Sequence, residues 1–156
     1  MDFERQIARR LHEEHLATLE IWSRVEQTIG KRDAALEALL GRAAAALADE
    51  VARHFDFEEK ELFPRLAEAG EGDIAELLAE EHGVIRSAAA QFAELARALR
   101  AGTLDAAGWQ RLRTLALELA ERLVAHVQKE EMSLLPALED LLDEATDAEL
   151  ALAYAG

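Results

Sequence analysis

The sequence HFDFEEKELFP at residues 54–64 recurs in altered form as HVQKEEMSLLP at residues 126–136. The histidine, both glutamates, the leucine and the proline all repeat at the same offset of 72 residues. A shorter pair precedes each copy, because Glu14-His15 matches Glu81-His82 at an offset of 67 residues. Each half of the chain thus has a Glu-His segment followed by an HxxxEExxLxP segment, which indicates an internal repeat.

The composition around these motifs predicts an all-α protein. Ala, Leu, Glu and Arg dominate the chain, whereas aromatic residues make up 5% and proline occurs only twice. These abundant residues are strong helix formers, and residues that favour strands are scarce. Glycines divide the chain into four segments, and apolar residues recur in each at intervals of three and four, as on one face of a helix.

The four segments predict an antiparallel up-down-up-down four-helix bundle, since long helices joined by short connections pack in this way. We expect helices over residues 3–29, 33–63, 73–101 and 105–134. Asp33 and Asp73 are predicted N-caps, the second in a capping box with Glu76. Pro64 and Pro136 are predicted to end the second and fourth helices. The bundle, about 3–134, and a short C-terminal helical tail, 137–156, are expected to form a single domain over residues 1–156.

The histidines and glutamates of the repeat predict a metal centre. An HxxxE pair places an imidazole and a carboxylate one turn apart on one helix face, within reach of a shared ion. On the predicted helices, six such side chains lie on the apolar stripes that face the bundle axis. Burying six ionisable groups without partners is costly, so a metal ion is expected among them. These residues are His15, His54, Glu58, His82, His126 and Glu130.

The other polar residues of the motifs are placed by the same helical geometry. His12 lies about 100° from the middle of its stripe, so we expect it at the edge of the first helix. Glu61 points partly inward, but its counterpart in the repeat is Ser133, and an outer acceptor or surface position is expected. His12 and Glu61 remain candidates for additional ligands. Glu59 and Glu131 are expected to face solvent.

The charge of the chain excludes some partners. The net charge of −15 disfavours nucleic acids and anionic membranes, which both require a basic surface. No apolar run is long enough to span a bilayer, and the first residues, MDFERQIARR, do not resemble a signal peptide. The absence of cysteine excludes disulfides and thiolate ligands. A cytoplasmic location is therefore expected.

Taken together, the two Glu-His motifs and the two HxxxE motifs with LFP and LLP endings resemble the hemerythrin-like, HHE cation-binding family. The resemblance covers nearly the whole chain. It implies an antiparallel four-helix bundle with a non-haem di-iron centre, in which two irons are joined by an oxo or hydroxo bridge. It also implies terminal and bridging ligands. The implied terminal ligands are His15, His54, His82 and His126, and the implied bridging ligands are Glu58 and Glu130.

The chain departs from oxygen-carrying hemerythrins at Arg86, where those proteins have a second histidine on the third helix. Four histidines leave open coordination positions on the metals, which favours reaction over reversible O₂ carriage. We expect Arg86 to be exposed to solvent, although a side chain folded towards the cluster would make it a hydrogen-bond donor.

The expected function is a non-haem di-iron protein that reacts with or senses O₂, peroxide or NO. Two alternatives are an iron-handling or storage protein and an enzyme of peroxide or NO turnover. A ferritin-like oxidase is disfavoured because no histidine follows a glutamate by three residues. A zincin needs HExxH, which the chain lacks, and haem would leave the two glutamates unexplained. A metal-free acidic bundle is the remaining alternative.

Overall fold

A computed structural model describes residues 2–156, and those residues are helical apart from short connections, without strands. The α-helices are α1 (Gln6–Thr28), α2 (Ala34–Asp49), α3 (Phe63–Leu66), α4 (Gly72–Ala101), α5 (Ala106–Lys129), α6 (Leu135–Leu141) and α7 (Glu144–Ala155). Wider π-helical turns connect some of them, at Glu50–Phe55, Glu58–Leu62 and Glu130–Leu134, whereas the chain kinks at Gly70 between α3 and α4. The expected all-α class is confirmed.

Four rods make up the helical bundle. The first rod is α1, the second covers residues 34–66, the third is α4 and the fourth covers residues 106–141. The first and third rods each pack against both the second and the fourth, so each rod has two neighbours. The C-terminal helix α7 packs against α1 on the outside of this arrangement.

One of the two predicted helix caps is present. Asp33 caps α2, and its carboxylate accepts a hydrogen bond from the backbone N–H of Leu36 at 2.8 Å. The prediction for Asp73 was wrong, because α4 already begins at Gly72 and Asp73 lies within its first turn. The chain breaks instead at Gly70, whose φ of 89° is in the left-handed region that glycine adopts without a Cβ clash.

The prediction that Pro64 and Pro136 end their helices was also wrong. The second rod continues to Leu66 and the fourth to Leu141. Each proline lies in the first turn of the α-helix that follows a π turn. A backbone N–H in a first turn has no partner within the helix, so proline is tolerated there. As a result, the first part of the expected tail is a continuation of the fourth rod.

The core consists of two apolar clusters at different levels of the bundle. One contains Trp22 and Phe92, whose rings are 5.5 Å apart, together with residues from each of the four rods. The other contains Leu11 and Leu78 and extends to Tyr154 of α7. Along each rod the chain passes from one cluster to the other, and the predicted metal ligands lie between them.

The C-terminal helix fastens the start of the first rod. The carboxylate of Asp147, which is 3% exposed, accepts hydrogen bonds from the backbone N–H groups of Gln6 at 2.8 Å and Ile7 at 3.0 Å. These groups belong to the first turn of α1, where helical partners are missing. Asp147 therefore caps α1 from a distant part of the sequence.

Within residues 2–156, no helix has both the length and the apolar character needed to cross a membrane.

Candidate metal centre

The structure brings together all six side chains that the repeat singled out. Every rod contributes, the second and fourth with a histidine and a glutamate and the first and third with a histidine. None of the six is more than 2% exposed. The residues are His15, His54, Glu58, His82, His126 and Glu130.

These side chains form two groups that share both glutamates. In each group, one ligand atom from every residue lies within 4.8 Å of the others. The first group is His15, His54, Glu58 and Glu130, and the second is Glu58, His82, His126 and Glu130. The arrangement can hold two neighbouring metal ions, each between two imidazoles and two shared carboxylates.

Each shared carboxylate directs one oxygen towards each group. Glu130 Oε1 is 2.9 Å from His15 Nε2, whereas Glu130 Oε2 is 2.9 Å from His126 Nε2. Glu58 behaves in the same way, with Oε2 at 3.1 Å from His54 Nε2 and Oε1 at 3.3 Å from His82 Nε2. This is the geometry that a carboxylate needs to bridge two ions.

The glutamates lie where the helices are irregular. Glu58 begins the π turn Glu58–Leu62, and Glu130 begins Glu130–Leu134. The two turns occupy the same place in the repeat. π turns are rare in helices and occur frequently at functional sites. Their recurrence at both glutamates indicates that the local geometry belongs to the centre.

Four further glutamates hold the outer nitrogen of each imidazole, and we call them the outer glutamates. In each case the Nδ1 atom of a histidine faces a carboxylate oxygen of a glutamate on the preceding rod. For the histidine of the first rod, the glutamate comes from the fourth rod. The pairs run once around the bundle. They are Glu14 with His54 at 3.1 Å, Glu59 with His82 at 2.6 Å, Glu81 with His126 at 2.8 Å, and Glu131 with His15 at 2.7 Å.

The outer glutamates fix the orientation of each imidazole ring. A carboxylate at Nδ1 accepts a hydrogen bond from that nitrogen, and the Nε2 atom of the ring then faces the centre. Metal-binding histidines in proteins are almost always held in this way by a second group. When the rings are neutral, the four Nε2 lone pairs are therefore directed to where a metal ion could be held.

The expectation that Glu59 and Glu131 face solvent was wrong. Each follows an inward glutamate, so it lies about 100° further round its helix. In a bundle that direction faces the flanking rod rather than water, and a glutamate side chain is long enough to reach the histidine there. The sequence marks Glu14 and Glu81 only as parts of the Glu-His motifs. The signal that could have identified all four is their recurrence in both halves of the chain.

A basic side chain pairs with every outer glutamate in turn. Arg86, which we expected to be exposed, is half-buried, and its Nη1 donates to Glu59 at 2.6 Å. His12 is the partner of Glu131, with Nδ1 at 2.5 Å from the carboxylate. Glu61, the other candidate for an additional ligand, is exposed and belongs to neither group of ligand atoms. The remaining pairs are Arg53 with Glu14 at 3.1 and 3.2 Å and Lys129 with Glu81 at 2.6 Å.

The C-terminal helix also contributes to this outer layer. The hydroxyl of Tyr154 donates a hydrogen bond to Glu14 Oε1 at 2.5 Å, on the same oxygen that faces His54 Nδ1. Tyr154 is 6% exposed. The sequence placed it only in the tail, because the contact joins residues far apart in the chain.

The electrostatic environment favours positive charge at the centre. Burial lowers the pKa of His15 and of His82, but hydrogen bonds to Glu130 and neighbouring carboxylates outweigh it and raise both pKa values to about 9. For Glu130, burial acts to raise the pKa, and hydrogen bonds from the surrounding histidines hold it well below its usual range. The site thus favours a carboxylate surrounded by cations, which also suits bound metal ions.

A buried orphan atom tests whether the residues fit a metal. Glu58 Oε1 is buried and lacks a hydrogen-bond partner. Leaving a buried carboxylate oxygen unpaired is costly, and coordination to a cation would supply the missing partner. Imidazole and carboxylate donors suit iron among the first-row metals. The donor set and the orphan oxygen both fit.

Comparison with known proteins agrees with this geometry. The family model described as Hemerythrin HHE cation binding domain matches residues 6–138. That range includes the six inward side chains and the four outer glutamates. Among curated proteins, no significant match was found.

Proposed function

Because the chain belongs to the hemerythrin HHE cation-binding family, we propose that it holds two iron ions and reacts with, or senses, O₂, peroxide or NO there. The observation that carries the proposal is the sharing of Glu58 and Glu130 by two groups of ligand atoms. Metal binding itself follows from the family and from these groups. The identity and number of the ions are the proposed part.

The six inward side chains have distinct roles in this proposal. His15 and His54 would hold one iron and His82 and His126 the other, in keeping with the two groups of ligand atoms. Glu58 and Glu130 would be shared by both ions, and an oxo or hydroxo group is the further bridge that we propose. The negative charge of these bridges offsets the charge of two adjacent cations.

The irons, when bound, supply redox chemistry with small oxygen or nitrogen ligands. The protein keeps the imidazoles in place through the outer glutamates, and the apolar clusters on either side keep bulk water away. Six protein donors are fewer than two six-coordinate ions need, even with one bridging oxygen. Small exogenous ligands therefore have positions to occupy.

Arg86 supports reaction over oxygen carriage. It takes the place of a histidine that oxygen-carrying hemerythrins have, and its guanidinium pairs with Glu59 outside the inner group. No residue in the structure replaces that histidine as an inward ligand within residues 2–156. An iron with fewer protein donors holds its ligand positions open.

Further parts of the proposal concern the setting of the centre. We propose an antiparallel up-down-up-down order for the four rods and a single domain over the chain. The acidic surface opposes nucleic acids and anionic membranes as partners. The proposed location is the cytoplasm.

Metal analysis and rapid mixing test the function. Iron-loaded wild-type protein should contain two irons per chain, and Glu58→Ala should lose both because a bridge serves both ions. Glu61→Ala is the matched control, since Glu61 is an exposed glutamate in the same rod. One iron or fewer in the wild type would contradict the dinuclear centre.

The reactivity is followed by mixing reduced protein with O₂, peroxide or NO in the absence of air. We expect a rapid absorbance change that ends in the oxidised protein, without a long-lived oxygenated form. A stable and reversible O₂ adduct would instead show oxygen carriage. No reaction with any of the three ligands would favour iron handling or storage.

A further inference from the structure

Glu50 is a buried acid to which the proposed centre gives no role. Eight histidine, glutamate and aspartate side chains are buried within residues 2–156. Six of them form the metal centre, and Asp147 caps α1. Glu50, at 8% exposed, is the one that remains. A buried carboxyl is costly to keep, so its position calls for a reason.

Glu50 lies one helical turn from one half of the centre. It precedes His54 by four residues on the second rod, and Thr18 follows His15 by three residues on α1. The Thr18 hydroxyl donates to Glu50 Oε2 at 2.9 Å, which joins the two rods at this level. A turn of helix is about 5.4 Å long, so Glu50 and His54 are neighbours along the second rod. The charges of His54 and His15 both act on the Glu50 carboxyl.

Within residues 2–156, the other half of the centre has no such buried acid. At the repeat offsets, the counterpart of Thr18 is Ile85 and the counterpart of Glu50 is Arg122. Ile85 is buried, at 1% exposed, and Arg122 lies at the surface, where it pairs with Glu118 at 3.1 Å. The two halves therefore share their ligands but differ in what lies next to them.

Glu50 also differs from the other carboxylates near the centre. Every outer glutamate holds an imidazole, and the two inner ones are shared between the groups. Within residues 2–156, the Thr18 hydroxyl is the only hydrogen-bond partner of the Glu50 carboxyl. Burial raises the pKa of Glu50 above its usual range, against the opposing effects of His54 and of Thr18.

We propose that Glu50 accepts the proton that hydrogen peroxide loses when it binds at the His15–His54 half of the centre. One O–H bond of HOOH breaks, the proton bonds to a carboxylate oxygen of Glu50, and the hydroperoxide anion remains. No electrons are transferred in this step. Thr18 is a positioning residue that orients the carboxyl. The inference rests on the proposed function and narrows it, because it favours peroxide over NO, which carries no proton.

Four iron-loaded proteins test the role of Glu50: the wild type, Glu50→Gln, Thr18→Val, and Glu121→Gln as a control at an exposed glutamate of the fourth rod. Iron content, the rate of reaction with hydrogen peroxide and the Kd for NO are measured on each. We expect equal iron contents and NO affinities within about twofold. Glu50→Gln should react with peroxide about 100-fold more slowly, as is typical when a general base is lost. Thr18→Val should fall between, and the control should match the wild type.

An infrared difference spectrum gives a second measurement that does not depend on rates. Addition of peroxide should produce a protonated-carboxyl C=O band in the wild type and the control but not in Glu50→Gln. Loss of iron from Glu50→Gln would overturn the inference by making Glu50 a ligand. Equal weakening of the peroxide reaction and NO binding would overturn it by making Glu50 a purely structural residue. A wild type that binds NO but ignores peroxide would refute the inference and leave the di-iron centre standing.

Discussion

Removal of an outer glutamate should weaken metal binding at one half of the centre. Glu81 is the clearest case, since its carboxylate accepts from His126 Nδ1 at 2.8 Å and from Lys129 Nζ at 2.6 Å. Its side chain is 22% exposed, so the hydrogen bonds are partly shielded from water. Hydrogen bonds to charged groups contribute about 1.5–3 kcal/mol. Loss of such a group at a metal-bound histidine typically costs about 10–100-fold in affinity.

These two figures agree, because a factor of ten corresponds to about 1.4 kcal/mol. We therefore expect Glu81→Ala to lower the affinity of the His82–His126 half by about 10–100-fold. Glu81→Gln should have a smaller effect, since its amide oxygen still accepts the Nδ1 proton. The His15–His54 half should keep its affinity within about threefold, because its own outer glutamates are intact.

Competition with a chromophoric chelator measures both affinities in one titration of the metal-free protein. Glu80→Ala is the control, an exposed glutamate that directly precedes Glu81. If Glu81→Ala binds both metals as tightly as Glu80→Ala does, the outer glutamates do not support the ligands and the reasoning fails.

His15→Ala should strongly reduce the iron content. His12→Ala should change it little, because His12 hydrogen-bonds to Glu131 at 2.5 Å and belongs to neither group of ligand atoms. Metal analysis checks both variants, and a greater loss of iron in His12→Ala would make His12 a ligand. The metal-free protein should melt at a lower temperature at pH 9.5 than at pH 6.5. The folded-state pKa values of His15 and His82 are raised from 6.5 to about 9. The stability that the two protonated histidines contribute is therefore complete below pH 6.5 and is lost as the pH rises through 9. Thermal unfolding followed by circular dichroism measures the midpoint, and a higher midpoint at pH 9.5 would contradict this. Asp147→Ala should lower the free energy of unfolding by about 1–2 kcal/mol through loss of the α1 cap, measured by urea denaturation, and an unchanged value would show that water replaces the carboxylate.

The inner side chains could be predicted from the sequence, and the outer layer could not, for a physical reason. Helical periodicity relates a residue to the axis of its own helix, which is enough to aim His54 and Glu58 at the bundle interior. It does not say which helix lies alongside. Glu59 looked like a solvent-facing residue for that reason, and only the position of α4 turns it into the partner of His82.

Local backbone geometry limited the prediction in another way. Pro64 normally marks the end of a helix, but a π turn before it places the ring where no N–H is needed. The sequence does not single out Glu50 because glutamate is usually exposed and because its hydrogen-bond partner, Thr18, lies on another rod. Periodicity in one segment contains neither kind of information.

The direction of the outer hydrogen bonds has a consequence for how such a protein can arise. Glu14 serves His54 within the first half of the chain, whereas Glu131 of the second half serves His15 of the first. Two identical helical hairpins related by a two-fold axis would form the same ring of four hydrogen bonds. Each hairpin would provide one glutamate for a histidine of its partner and would receive one glutamate in return.

A symmetric dimer of this kind, however, must be the same on both sides. Gene fusion removes that restriction, since each hairpin can then mutate independently of the other. The pair Thr18–Glu50 on one side and Ile85–Arg122 on the other is such a difference. Covalent linkage of the halves is thus what allows two chemically alike groups of ligand atoms to acquire different surroundings.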